Sequence, residues 1–214
     1  MSAIPSNVIA VEHPLVRVKL ARLRDERTPS PEFRAVAREL AALLAFAATR
    51  DLATVTRRVR TPLMECDGAT LARPLVVVPI LRAGLGMLDG ILPILGEATV
   101  GHIGMCRDEK THLPHCYYFN VPAHLAESDV LVADPMLATG HSASESITRL
   151  KAAGAKHLRF LCFLSAPEGL AFLAANHPDV PIFTGAIDAG LDERAFIVPG
   201  LGDAGDRYFG TPPA

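Results

Sequence analysis

Val130-Leu131-Val132-Ala133-Asp134-Pro135-Met136-Leu137-Ala138-Thr139-Gly140-His141-Ser142 decides how the rest of the chain is read. Four consecutive apolar residues suit a strand buried on both faces, as in a parallel sheet. Asp134 then stands at the carboxyl end of that strand, the edge at which open α/β sheets bind ligands. Beyond it, Thr139, Gly140 and Ser142 offer backbone amides and two hydroxyls at the start of a helix. That end of a helix carries unpaired N–H groups and partial positive charge, which favours a phosphate. A carboxylate beside a phosphate cradle needs a ligand with hydroxyls or a metal ion, and a ribose 5-phosphate meets both conditions. An ordinary strand-to-helix turn capped by Ser142 also explains an acid followed by small residues. The full string from Asp134 to Gly140 is more specific than that.

Outward from this loop, strand and helix patterns alternate. Upstream, Leu75-Val76-Val77-Val78-Pro79-Ile80 reads as a buried strand, followed by a turn at Arg82 and a helix through Met87, Leu88 and Ile91. Thr99 to Met105 is a second strand and Val130 to Ala133 a third. Downstream, a helix from about Ala143 to Ala153 ends at Gly154, the usual C-terminal residue. His157–Leu164 is a fourth strand, Glu168–Asn176 a helix, and Pro181–Ile187 a fifth strand. Such alternation predicts a parallel sheet with right-handed crossovers. Near the N-terminus, Ser30 as N-cap and Pro31 as the first helical residue predict a helix to about Thr49. Its stripe of Phe33, Val36, Leu40, Leu43, Leu44 and Ala47 packs on the body or on a neighbouring subunit. Val55 to Arg60 alternates weakly, as a strand does.

Hydrophobic residues make up 50% of the 214, enough for a globular core and against disorder. Lys and Arg total 21 against 23 Asp and Glu, so no general basic character supports nucleic-acid binding. Cys66, Cys106, Cys116 and Cys162 lack paired spacing and read as reduced thiols of a cytoplasmic protein. No apolar run is long enough to span a membrane, and the first ten residues lack the pattern of a signal peptide. His112, His115 and Cys116 do not have zinc-site spacing.

Three further segments stand out. Ile80-Leu81-Arg82-Ala83-Gly84 puts one arginine in a strand-to-helix turn, where a lone charge commonly faces solvent. Arg107-Asp108-Glu109-Lys110-Thr111 is a charge cluster after the second strand, ordinarily a solvated loop. Ile197-Val198-Pro199-Gly200-Leu201-Gly202-Asp203-Ala204-Gly205-Asp206-Arg207-Tyr208-Phe209-Gly210-Thr211 is a Gly-rich tail of the kind that is often mobile. Its glycines also let a main chain approach a flat ring closely enough to read its edge.

Together, the Asp134 loop, the Arg82 turn, the Arg107 segment and the tail resemble the type I phosphoribosyltransferases, most closely those acting on uracil. The resemblance runs from His13-Pro14-Leu15-Val16 to Thr211. It implies an α/β fold with a central parallel sheet flanked by helices. It also implies one domain over residues 1–214, with a core of about 70–190 and a small cap from 1–69 and 191–214. The implied activity is transfer of ribose 5-phosphate from 5-phosphoribosyl 1-diphosphate to uracil, giving UMP and diphosphate with Mg2+. By the same resemblance, Asp134 holds ribose hydroxyls and steadies positive charge on the sugar. The run Pro135, Met136, Leu137, Ala138, Thr139, Gly140, His141 and Ser142 binds the donor, with its 5-phosphate cradled from Ala138 onward. Arg82 and Arg107 take the diphosphate, guanidinium groups being suited to phosphate oxygens in pairs. Ile197, Gly202 and Ala204 contact uracil, while Asp203 borders uracil and faces the donor and its metal. The apolar helix after Ser30 points to a homodimer or homotetramer, and GTP is an effector in some members of the resembling family.

Two departures from the family pattern matter. Asn120 replaces a usual lysine, so no electrostatic role is assigned to it. His141 replaces the second glycine of the phosphate loop. If that position takes a positive φ, a histidine costs on the order of 1 kcal/mol against glycine. If only its amide is used, the histidine is tolerated and its ring sits near the phosphate. Weak donor binding would favour the alternative, a UMP-binding regulatory protein acting on RNA or a partner.

Overall fold

The computed structural model describes residues 4–107 and 114–212. A short strand β1 (Val8–Ala10) leads into α1 (Pro14–Arg24), whose N-cap His13 accepts the Leu15 N–H. Helix α2 spans Ser30–Ala48. Its cap differs from the expectation: Pro29, not Ser30, is the N-cap, and no side chain caps the helix. Proline in the first turn is still tolerated there, because those N–H groups have no intrahelical partner. Strands β2 (Thr54–Arg60) and β3 (Glu65–Leu71) form an antiparallel hairpin.

The body of the sheet begins with β4 (Leu75–Leu81), followed by α3 (Leu85–Ile91), β5 (Thr99–Val100), β6 (His102–Arg107) and β7 (Pro114–Asn120). Then come β8 (Asp129–Ala133), β9 (Met136–Leu137), α4 (His141–Ala152), β10 (His157–Ser165), α5 (Pro167–Asn176) and β11 (Ile182–Ile187). Two-residue strands β12 (Gly190–Leu191) and β13 (Ile197–Val198) pair with each other, and α6 (Ala204–Phe209) closes the described chain.

The main sheet runs β1-β11-β10-β8-β4-β6-β7. Every pairing is parallel except that of β7 with β6. The expected strand from Thr99 to Met105 is two strands, because the ladder breaks at Gly101. Pro79 falls opposite this break, between the residues of β4 that pair β5 and those that pair β6. A residue without an N–H is tolerated where a ladder is interrupted. The antiparallel β7 was not anticipated from sequence.

Alternation along the central strands sends side chains into two cores, one on each face. Val76, Val78, Ile80, Val130 and Val132 pack with Ile147 and Leu150 of α4 and Leu170 and Leu173 of α5. Val77, Leu131, Ala133, Leu161 and Phe163 pack with α1, α2, α3 and α6. The apolar stripe of α2 is spent here: Phe33, Val36, Leu40 and Leu44 are buried on the body. Each such side chain contributes about 1.5–3 kcal/mol by burial. With helices on both faces, the carboxyl edge of the parallel strands is left open for a site.

Candidate active site

Strand β8 ends at Ala133, and the loop that follows is held by backbone. The Asp134 N–H donates to Leu161 O at 3.1 Å, and Pro135 O accepts from Phe163 and Leu164. Two residues later β9 rejoins the sheet beside β10, so the loop is fastened on both sides of Asp134. Gly140 is the N-cap of α4 with φ +83°, a left-handed conformation that suits glycine. On the far side, Gly169 of α5 lies so close that a Cβ there would stand 2.3 Å from Ala138 O. The loop is therefore clamped between β10 and α5.

His141 is the first residue of α4, and the positive φ lies one residue earlier, at Gly140. The penalty considered for His141 thus does not arise. Its exposed ring packs on Phe172 at 4.4 Å between centroids. Asp134, Met136, Leu137, Ala138, Thr139, Gly140, Ser142 and Ala143 line a cavity of about 140 Å³ at the start of α4. Pro135 and His141 do not line it.

A second cavity of about 310 Å³ shares Asp134, Met136 and Ala138 with the first. Ala83 and Ile197 line it, together with Gly202, Asp203, Ala204 and Gly205 of the tail. Ile197, Gly202, Asp203 and Ala204 were all anticipated from the tail. Arg194, Ala195 and Phe196, which complete the wall, were not. Asp192 builds that stretch: its Oδ1 accepts the N–H of Arg194 at 2.9 Å and of Phe196 at 2.8 Å. An aspartate two residues before a turn is the signal that could have found it.

The tail itself is ordered by side chains. Arg24 pairs with Asp188 through both terminal nitrogens and donates to Gly200 O at 2.8 Å; Asp188 Oδ2 accepts the Gly200 N–H at 2.9 Å. Arg207 donates to the carbonyls of Leu23, Asp25 and Leu201, and its guanidinium lies 4.5 Å from the Phe33 ring centroid. Tyr208 donates to Asp89 at 2.9 Å. Asp203 caps α6 by accepting the Asp206 N–H at 2.8 Å.

Burial raises the Asp134 carboxyl to about 7, partly offset by the Met136 N–H. Arg82 lies on the turn after β4, exposed, with its guanidinium 3.4 Å from Asp206. Arg107 ends β6. Asp108, Glu109, Lys110, Thr111 and His112 lie outside the described residues. Among the described residues, no three metal-ligating side chains gather.

The fold whose parallel sheet carries these two cavities at its carboxyl edge is shared with proteins of known structure. The structure of the AQ2163 protein from Aquifex aeolicus superposes with a TM-score of 0.92 at 32% identity, covering 97% of this chain and all of that one. A hypoxanthine-guanine phosphoribosyltransferase from Bacillus anthracis, 13% identical with a TM-score of 0.50 over 74% of this chain and 80% of its own, shares the fold. The protein named uracil phosphoribosyltransferase in Clostridium beijerinckii is 50% identical over 96% of this chain and 99% of its own length. Its namesake in Paracoccus denitrificans is 50% identical over 96% and 98%. Since the model of that same family matches residues 10–211, the chain belongs to the uracil phosphoribosyltransferase family.

Proposed function

We propose that the paired cavities transfer ribose 5-phosphate from 5-phosphoribosyl 1-diphosphate to uracil, the reaction of pyrimidine salvage. The observation that carries this reading is the shared wall. Asp134, Met136 and Ala138 border both the small cavity at the start of α4 and the larger one under the tail. A sugar bridging a 5-phosphate and a base would lie against that wall. In the reaction the bond from C1′ to the diphosphate breaks, the electron pair leaving with the diphosphate, a bond from C1′ to N1 of uracil forms, and the N1 proton passes to solvent water.

Thr139, Gly140 and Ser142 hold the 5-phosphate at the helix start, where backbone N–H groups await partners. Asp134 holds the ribose hydroxyls and, when ionised, steadies the positive charge that develops on C1′. Arg82 and Arg107 take the charge growing on the leaving diphosphate. Ile197, Gly202 and Ala204 read uracil, which presents an acceptor, a donor and an acceptor along its edge. Backbone hydrogen bonds to the ring oxygens draw off the charge left by N1, so no separate general base is invoked.

The donor set suits magnesium. Asp203 lines the larger cavity, and with one oxygen committed to the α6 cap its other carboxylate oxygen has no hydrogen-bond partner among the described residues. A hard cation that keeps waters and phosphate ligands is commonly held by one or two such carboxylates. Magnesium, when bound with the donor, neutralises diphosphate charge.

The four free thiols support a reducing, cytoplasmic setting, and no described helix is long and apolar enough to cross a membrane. A homodimer or homotetramer draws support from the β2–β3 hairpin. Its Val55, Val59, Leu63 and Met64 are exposed apolar side chains that line neither cavity. The alternative of a UMP-binding regulator loses its argument, since His141 carries no left-handed strain.

The test is UMP formation from uracil and 5-phosphoribosyl 1-diphosphate, with magnesium or EDTA, with cytosine and orotate alongside. Magnesium-dependent product from uracil alone is expected. A folded protein that binds UMP but yields no product with any base would return the regulatory reading.

A further inference from the structure

Asp206 is a carboxylate beside the site that the reaction does not use. It lies in the first turn of α6 with its side chain only 15% exposed, and it is the sole ion-pair partner of Arg82 among the described residues. Its Oδ1 accepts from Arg82 Nη2 at 3.4 Å and from Thr211 Oγ1 at 2.6 Å. The Thr211 N–H also donates to Asp206 O, at 3.2 Å, so the carboxylate is held from the tail side independently of the arginine.

The two elements that carry this pair fit closely. A Cβ on Gly86 would stand 2.7 Å from the Tyr208 ring, and one on Gly205 would stand 3.7 Å from Ala83 Cβ. The Tyr208 hydroxyl donates to Asp89 on α3, fastening α6 to the helix that follows the Arg82 turn. Asp206 is thus a fixed anion, while Arg82 is a long side chain, 62% exposed, that would otherwise sample many rotamers. A guanidinium has five N–H donors, so it can keep one on Asp206 and turn others toward a second anion.

We infer that Asp206 is a positioning residue that pre-aims Arg82 at the diphosphate of the donor. The inference rests on the proposed function, and specifically on Arg82 as a diphosphate ligand. Because Asp206 acts through Arg82, its loss weakens ligands that carry a diphosphate and spares those that do not. UMP contains the 5-phosphate, ribose and base but no diphosphate, so it separates this role from simple support of α6.

The experiment is calorimetric titration of the full chain with 5-phosphoribosyl 1-diphosphate, inorganic diphosphate and UMP, each with magnesium. Asp206→Asn should weaken the first two by about three- to fivefold, the upper range of an exposed charge pair, and leave UMP within about 1.5-fold. Asp206→Glu should restore most of the loss. In an Arg82→Gln background, Asp206→Asn should have no further effect on diphosphate. Equal weakening of UMP, no change for any ligand, or an undiminished effect without Arg82 would each overturn the inference. If Asp206→Asn does not fold, the comparison of Arg82→Gln with the double variant Arg82→Gln/Asp206→Glu decides it. A difference there for diphosphate binding means that Asp206 acts otherwise than through Arg82. Failure of the wild-type protein to bind diphosphate at all would sink the reading of the site instead.

Discussion

The two cavities share a wall but are built by different means. The smaller, between Asp134 and Ala143, is shaped by main chain: sheet hydrogen bonds from Asp134 and Pro135, a left-handed Gly140, and the backbone of Gly169 against Ala138. The larger is closed by a tail whose course depends on side chains, chiefly Arg24 with Asp188, Arg207 with three carbonyls, and Asp192 with its own turn. A pocket made of backbone tolerates side-chain replacement and punishes added volume. A pocket made of side-chain ties responds in the opposite way. One half of the site can therefore keep a constant ligand while the other is retuned by substitution.

That contrast can be broken by experiment. The largest effect is expected where the halves meet. Asp134→Asn should lower kcat by at least about 100-fold, the scale of losing one charge-stabilising group, with an unaltered circular dichroism spectrum. Wild-type turnover would remove Asp134 from the ribose. Next is Gly169→Ala, which puts a methyl 2.3 Å from Ala138 O. It should cost about 1–3 kcal/mol in denaturant unfolding and weaken UMP and donor together. Normal phosphate-ligand affinity would mean that the clamp is dispensable.

On the other half, Arg24→Met leaves the Asp188 carboxylate buried without its partner. Stability should fall by about 3 kcal/mol and the KM for uracil should rise about tenfold. The KM for the donor should stay within about twofold. Equal rises in both would abolish the distinction between the halves.

A smaller effect concerns pH. The folded Asp134 carboxyl titrates near 7, above its usual 3.8. The unfolded chain therefore ionises first, and ligand-free stability falls as pH rises from about 4 to about 7. Asp134→Asn should remove this loss. The variant should gain about 1–2 kcal/mol over wild type at pH 8, less than the full linkage value because the group keeps some hydration, and nothing at pH 4. A gain that is the same at both pH values would dissociate it from ionisation. Smallest of all, His141→Gly should change donor affinity by less than about twofold, since no left-handed strain exists there to relieve.

The uneven construction also explains what could be read from the sequence. The Val130–Ser142 loop is local: strand, acid, turn and helix start follow one another in sequence, so periodicity and capping chemistry locate it. The strands buried on both faces were legible for the same reason. The hairpin partner β3 was not, because its residues alternate without an apolar face to mark them. Nor was the wall from Arg194 to Phe196, whose place depends on where the tail folds back. The position of the positive φ, at Gly140 rather than His141, turns on a single peptide and needed coordinates. The raised carboxyl of Asp134 comes from neighbours distant in sequence, which no local pattern records.

The grip of Arg207 on the end of α1 has a further consequence for how the protein is made. Its bond to Leu23 O joins residues 184 positions apart. On the ribosome, the sheet and the phosphate loop have emerged before this arginine does, and domains begin folding as they appear. A nascent chain that stops short of the tail should thus bind phosphate before it can choose a base. In that order, the segment proposed to read the base closes on α1 only after the phosphate loop has emerged.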